Sequence, residues 1–169
     1  MSASDVSIVK VVCGGETGAD RAAVDFALSH HVPYGGWVPR DGWAEDHYEP
    51  PGLLANYREF VPTQSTDLAV RTTLNVRDST ATVVFSPPMA TSSGVTQTLT
   101  MANVLKRPIA VIDPSSAGAD ALFETFLNRL SPEVTLNVAG PRESEVPGLY
   151  LSVTGFLNNN LRFFTPGSP

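Results

Sequence analysis

The chain has 169 residues, 42 % of them hydrophobic, enough for one domain with a sizeable core. Its formal net charge of −6 argues against a protein that coats nucleic acid or settles on an acidic membrane. A single cysteine excludes an internal disulfide and a multi-cysteine metal site, and no apolar run approaches the ~20 residues that span a bilayer.

The chain opens without a basic region followed by a long apolar run, so no secretory signal is read and a cytoplasmic protein is expected. On this acidic background an anionic ligand has to be held locally, by backbone amides and a few cations. The nine arginines against two lysines suit planar, bidentate recognition of phosphate or carboxylate.

In chain order, Ile8 to Cys13 reads as a buried parallel strand, almost wholly apolar. Ala19 to Ser29 reads as a helix with Ala22, Ala23, Phe26 and Ala27 on one stripe. Val32 to Val38 is a short second strand, although Pro33, Gly35 and Gly36 weaken it. Residues 39–64 read as one long irregular segment, rich in proline and acid, of the kind that is functional or an interface element. Thr66 to Asp78 follows as a helix, Ala81 to Ser86 as a strand, Ser93 to Leu105 as a helix and Pro108 to Ile112 as a strand. Ala119 to Leu130 is an amphipathic helix, Val134 to Val138 a strand, and Tyr150 to Phe164 a final helix interrupted in pattern by Gly155 and Asn158 to Asn160. Residues 165–169 read as a frayed tail. Strands alternating with helices imply an α/β fold: a single Rossmann-like domain, its core over 6–164, with a parallel sheet flanked by helices on both faces.

Two turns carry the functional signal. Gly14, Gly15, Glu16, Thr17 and Gly18, followed by Arg21, stand between the first strand and the first helix. Glycines there can present backbone N–H groups to a phosphate at a helix N-terminus, or serve only a tight turn. Ser92, Ser93, Gly94 and Thr96 repeat the arrangement ahead of another helix. No Asp or Glu occurs from Ser79 through Ile112, so this turn and its helix read as free of negative charge, as an anion cradle needs.

A third element is the helix stretch Arg71-Thr72-Thr73-Leu74-Asn75-Val76-Arg77-Asp78-Ser79, on which Arg71, Asn75 and Asp78 or Ser79 share a face. That trio can read a heterocycle edge and a phosphate, or form a surface network. Arg142, in Gly140-Pro141-Arg142 after the last strand, adds a cation at the same edge of the sheet. Cys13 reads as a small buried residue. His47 lies near acids but in no defined metal-ligand spacing.

Five stretches together resemble the molybdenum cofactor carrier proteins: VCGGETGADRAAVD (Val12 to Asp25), YGGWVP (Tyr34 to Pro39), RTTLNVRDS (Arg71 to Ser79), SGVTQT (Ser93 to Thr98) and LNVAGPRES (Leu136 to Ser144). The resemblance runs from about Val9 to Tyr150. It implies a Rossmann-like fold related to the lysine-decarboxylase-like and cytokinin phosphoribohydrolase proteins. It also implies a cytoplasmic homo-oligomer, a tetramer, without nucleic-acid or membrane partners. Such a protein binds and protects the molybdenum cofactor (Mo-molybdopterin) and passes it to enzymes such as nitrate reductase, without catalysis of its own. Carried onto matching positions, Gly14, Gly15, Thr17, Gly18 and the Ser93–Gly94–Thr96 turn take the phosphate and pterin side, with Arg71, Asn75, Asp78 and Arg142 next. Glu16 departs from the glutamine usual in that family, and Cys13 stands where serine is frequent.

Two other classes stay open. A nucleoside-monophosphate phosphoribohydrolase of related fold would need Glu16, Asp20 or Asp78 to stand in for its missing helix glutamate. A nucleotide-sensing module would bind without chemistry.

Overall fold

The computed structural model describes residues 5–169. Six strands form one all-parallel sheet in the order β3-β2-β1-β6-β4-β5. The strands are β1 (Ser7–Val12), β2 (Tyr34–Val38), β3 (Phe60–Pro62), β4 (Ala81–Phe85), β5 (Ile109–Ile112) and β6 (Glu133–Ala139). The helices are α1 (Ala19–Ser29), α2 (Leu68–Arg77), α3 (Ser93–Val104), α4 (Ala119–Leu127) and α5 (Leu149–Asn159).

Right-handed crossovers decide which face each helix covers. The chain steps from β1 to β2 in one direction and from β3 to β4 and β5 in the other. Thus α1, α4 and α5 share one face, and α2 and α3 the other. On the first face Ala19, Ala22, Ala23 and Ala27 of α1 are fully or nearly fully buried with Phe123 of α4 and Phe156 of α5. The small residues of α1 let it approach the sheet closely, while Phe85, Phe123 and Phe156 fill the remaining space with ring centroids 5.0–6.5 Å apart. β4, flanked by β6 and β5, is buried along its whole length, and its sequence is apolar but for Thr82.

β2 begins at Tyr34 rather than Val32, and its glycines support the strand. Gly36 lies so close to β1 that a Cβ there would stand 2.3 Å from the Cys13 carbonyl oxygen. The 39–64 segment is not simply irregular. It contributes a 3₁₀ turn (Gly52–Ala55) and the edge strand β3, whose Pro62 is tolerated because an edge strand need not donate on its outer side. Ala44, Leu53 and Phe60 from this segment join Cys13, Val24 and Val38 in a second apolar cluster.

The last helix also differs from its expected span. It ends at Asn159, and the Asn160 amide turns back to the Phe156 carbonyl (2.9 Å) and across to Asp120 (2.7 Å). A 3₁₀ turn (Leu161–Phe163) follows, and Phe164 bridges to Ile8 in parallel. The tail is tied where fraying was expected: the Thr165 N–H donates to the Ile8 carbonyl at 3.0 Å and the Gly167 N–H to that of His31 at 2.9 Å. The two ends of the described chain thus meet beside β1.

Candidate functional site

The connections leaving β1, β4 and β6 all emerge at the C-terminal edge of the sheet, where strand order reverses direction. Parallel α/β sheets form ligand crevices at such switch points. A cleft of about 280 Å³ opens here. Its walls are Gly14 and Glu16 of the first turn, Asp20 of α1, Arg71, Thr72 and Asn75 of α2, the Ser92-Ser93-Gly94 start of α3, and Arg142 and Glu145 beyond β6.

The first turn is already filled by the protein's own anions. The Glu16 N–H donates to Asp20 at 3.3 Å. The Thr17 and Glu45 amides both donate to Glu16 Oε1, at 3.0 and 2.9 Å. The Thr17 hydroxyl donates to Glu45 and accepts from the Glu143 N–H at 3.1 Å. Gly18 caps α1 with φ +82°, and a Cβ there would stand 2.4 Å from the Pro141 carbonyl oxygen. Gly15 also has positive φ and packs on Leu53 and Phe60.

Arg21 likewise turns away from the cleft. It forms a two-pronged pair with Asp46 (2.7 and 2.9 Å) and donates to the Gly15 carbonyl at 3.0 Å. The Arg21 hydrogen bonds hold the Asp46 carboxyl well below the usual range. His47, the weak metal candidate, is paired with the same carboxylate at 2.9 Å. The residues of the first turn that do line the cleft are Gly14 and Glu16; Gly15, Thr17, Gly18 and Arg21 build the wall behind them.

The second turn is open. Ser92 caps α3 by accepting from the Val95 N–H, which leaves the Ser93 and Gly94 amides, the first two of the helix, without an intrahelical partner. Around Gly94 the nearest atom to a built Cβ is the Ser92 hydroxyl oxygen, 3.7 Å away. Thr96 bonds back to the Ser92 carbonyl and does not line the cleft. The turn is not free of negative charge, contrary to the sequence reading. Glu145 arrives from beyond β6, accepting from the Ser92 hydroxyl at 3.3 Å and from the Arg142 N–H at 2.9 Å.

The α2 trio divides. Arg71 lies across Gly14, where a Cβ would collide with its guanidinium at 2.0 Å, and it stands 3.9 Å from Asp20. Asn75 lines the cleft but spends its amide on the Trp37 backbone, accepting from N–H at 2.7 Å and donating to C=O at 2.9 Å. Asp78 accepts from the Trp37 indole at 2.8 Å and pairs with Arg77, outside the cleft. Asn75 and Asp78 therefore anchor Trp37. On the far wall Arg142 sits 5.2 Å from the Trp43 ring centroid and 3.4 Å from Glu16 Oε2.

Among the charged lining residues, Glu145 was not singled out in the sequence, and Asp20 only as a stand-in for a missing catalytic glutamate. Asp20 stands four residues beyond Glu16 and in the first turn of α1, the spacing that brings a side chain back to a helix start. Glu145 stands three residues beyond Arg142, a spacing that lets a carboxylate reach back to a turn N–H. Burial pushes the Asp20 carboxyl up to about 7, with nearby Arg71 pulling the other way. Burial also raises the Cys13 thiol far above its usual range, which makes it inert.

The sheet order and the polar crevice define a Rossmann-like α/β domain with a charged cleft at its switch point. The chain belongs to the circularly permutated YpsA SLOG family, whose model matches residues 11–161. It is similar to a solved structure from Syntrophus aciditrophicus, a protein provisionally named a molybdenum carrier, with 34 % sequence identity, a TM-score of 0.79, and coverage of 90 % of this chain and 94 % of that one. Among curated proteins none matches. The permutation is visible in the sheet: the last strand, β6, occupies the centre beside β1. Placing it first in the chain would make the order run outward regularly from the centre, and Phe164 already lies beside Ile8 of β1.

Proposed function

We propose that this protein binds and stores the molybdenum cofactor in the switch-point cleft and releases it to a molybdoenzyme such as nitrate reductase. The observation that carries the reading is the cleft itself: open amides at the start of α3 face Arg71 and Arg142 across about 280 Å³, in a chain 34 % identical to a protein provisionally named a molybdenum carrier. The donor set suits an anionic cargo. The Ser93 and Gly94 amides, the Ser93 hydroxyl and the positive end of the α3 dipole favour a phosphate, and two arginines supply charge in a protein of net −6.

The same reading places the protein in the cytoplasm as a homo-oligomer, a tetramer. Supporting that state, Val104 of α3 and Val111 of edge strand β5 are 63 % and 52 % exposed. Light scattering after size exclusion would check the copy number. The functional test is mass spectrometry and molybdenum content of anaerobically purified protein, followed by transfer to cofactor-free nitrate reductase. Bound molybdopterin with restored reductase activity supports the carrier. No pterin and no transfer contradicts it.

One observation favours a second reading. Glu16, Asp20 and Glu145 all line the cleft, and Asp20, with its carboxyl raised to about 7, lies in the range of a general acid or base. A phosphoribohydrolase acting on a nucleoside monophosphate would use such a group. Release of free base from a nucleoside monophosphate, lost in Asp20→Asn, would favour that enzyme.

A further inference from the structure

Two buried polar atoms of the cleft have no hydrogen-bond partner among the described residues, and they are of opposite kind: the carboxylate oxygen Glu16 Oε2 and the guanidinium nitrogen Arg71 Nε. Glu16 is 5 % exposed. Its other oxygen accepts from the Thr17 and Glu45 amides at 3.0 and 2.9 Å, which fixes the carboxylate plane and leaves Oε2 unmatched. Arg142 pairs with Oε2 by charge, its Nε 3.4 Å away, but donates no hydrogen bond to it. Arg71 is fixed from the other side, lying across Gly14 and 3.9 Å from the same Asp20 oxygen that accepts the Glu16 N–H. An acceptor and a donor are thus held around one buried carboxyl at the first-turn end of the cleft.

Unmatched buried polar atoms are rare because each costs the desolvation of an unmade bond. A phosphate would satisfy Arg71 but would oppose Glu16, a second anion. The open amides of α3 form the other end of the cleft, where the one carboxylate, Glu145, is turned to the Ser92 hydroxyl and the Arg142 N–H. We infer that Glu16 Oε2 and Arg71 Nε read the lactam edge of a ring, accepting from its N–H and donating to its adjacent C=O, while the ring's phosphate substituent lies at the start of α3. The ligand class is a phosphorylated heterocycle bearing a lactam. Identifying that ring with a pterin rests on the function proposed above; the assignment of Glu16 does not.

The test uses the phosphate ester of 6-hydroxymethylpterin, its N3-methyl derivative and methyl phosphate, titrated calorimetrically at pH 7. N3-methylation should weaken binding to the wild type about tenfold or more, because a methyl group then faces the carboxylate. Glu16→Gln keeps the oxygen that holds Thr17 and Glu45 but replaces the free acceptor by a donor. It should lose about tenfold or more for the parent pterin ester while methyl phosphate binds as well or better, since a negative charge has gone. The N3-methyl comparison needs no variant and stands even if Glu16→Gln folds poorly. Equal affinity for parent and N3-methyl esters would overturn the assignment, as would equal loss of pterin ester and methyl phosphate in a folded Glu16→Gln. Molybdopterin bound equally by wild type and Glu16→Gln sinks the lactam reading and leaves the carrier standing. No pterin binding, but GMP binding lost on N1-methylation and in Glu16→Gln, supports the lactam reading and sinks the carrier. No binding of either lactam overturns it.

Discussion

The turn after β1 and the turn before α3 are both glycine-bearing and both precede a helix, yet their surroundings are opposite. In the first, Glu16 and Asp20 take up backbone amides, Glu45 takes up the Thr17 hydroxyl, and Gly18 has no room for a Cβ beside Pro141. In the second, the first two helix amides are open and Gly94 borders free space. A glycine-rich turn therefore does one of two things: it lets chain segments approach each other, or it lets a ligand approach the chain. Which one depends on what occupies the place of the missing Cβ.

This contrast can be broken by substitution. The largest effect is expected for Gly94→Asp. A carboxylate at the start of α3 is tolerated by the fold and suits the helix dipole, but it fills the anion seat. Binding of a phosphorylated ligand should fall about a hundredfold or more, from charge repulsion and lost access together, with an unchanged melting temperature. Retained affinity in the folded variant would remove α3 from the site.

Gly18→Ala should do the reverse. Its backbone at φ +82° and ψ −129° and the 2.4 Å approach to the Pro141 oxygen make any side chain strained, at a cost of about 3 kcal/mol or more. The expected readout is a melting temperature lower by roughly 6–12 °C. A variant as stable as the wild type would show that the first turn is not the rigid wall described.

Arg71→Ala sharpens the comparison by charge, costing about tenfold for a phosphorylated ligand. Calorimetry with the ester and its dephosphorylated parent separates two roles. Loss confined to the ester indicates long-range attraction of the phosphate. Loss in both indicates contact with the ring, as the lactam assignment requires.

The smallest effect concerns pH. The Asp20 carboxyl titrates near 7 when folded and near 3.8 ordinarily, so between those values the folded chain keeps a proton that the unfolded chain has released. The Asp20 contribution is present below about pH 4 and is lost as pH rises through 7. Burial sets most of that loss; of the charged groups facing Asp20, Arg71 reduces it and Glu16 adds to it. Asp20→Asn should flatten the decline, so its melting temperature gains on the wild type between pH 5 and 8. Parallel curves would show that Asp20 is not a buried proton-holding acid.

Much of the fold was legible because its signals are local. The apolar runs of β1, β4 and β5, the alanine stripe of α1 and the Ser92 cap each follow from neighbouring residues. β3 was not legible: three residues containing a proline become a strand only because β2 lies alongside. The tail was read as frayed because its ties to Ile8 and His31 span the whole chain. In the site, the two turns and the arginines were visible as motifs. The direction of each side chain was not, since Asn75 and Asp78 face Trp37 and Arg21 faces Asp46 through contacts 25–41 residues apart in sequence. Glu145 was hidden for the same reason, reaching Ser92 across 53 positions.

The most direct measurement is equilibrium binding of molybdopterin, kept anaerobic, to wild type and Gly94→Asp in parallel, with melting curves of both. Binding by the wild type that is lost in an equally stable Gly94→Asp is the predicted result. A wild type that binds no molybdopterin, or a Gly94→Asp that binds it as tightly, would contradict a cofactor seat at the start of α3.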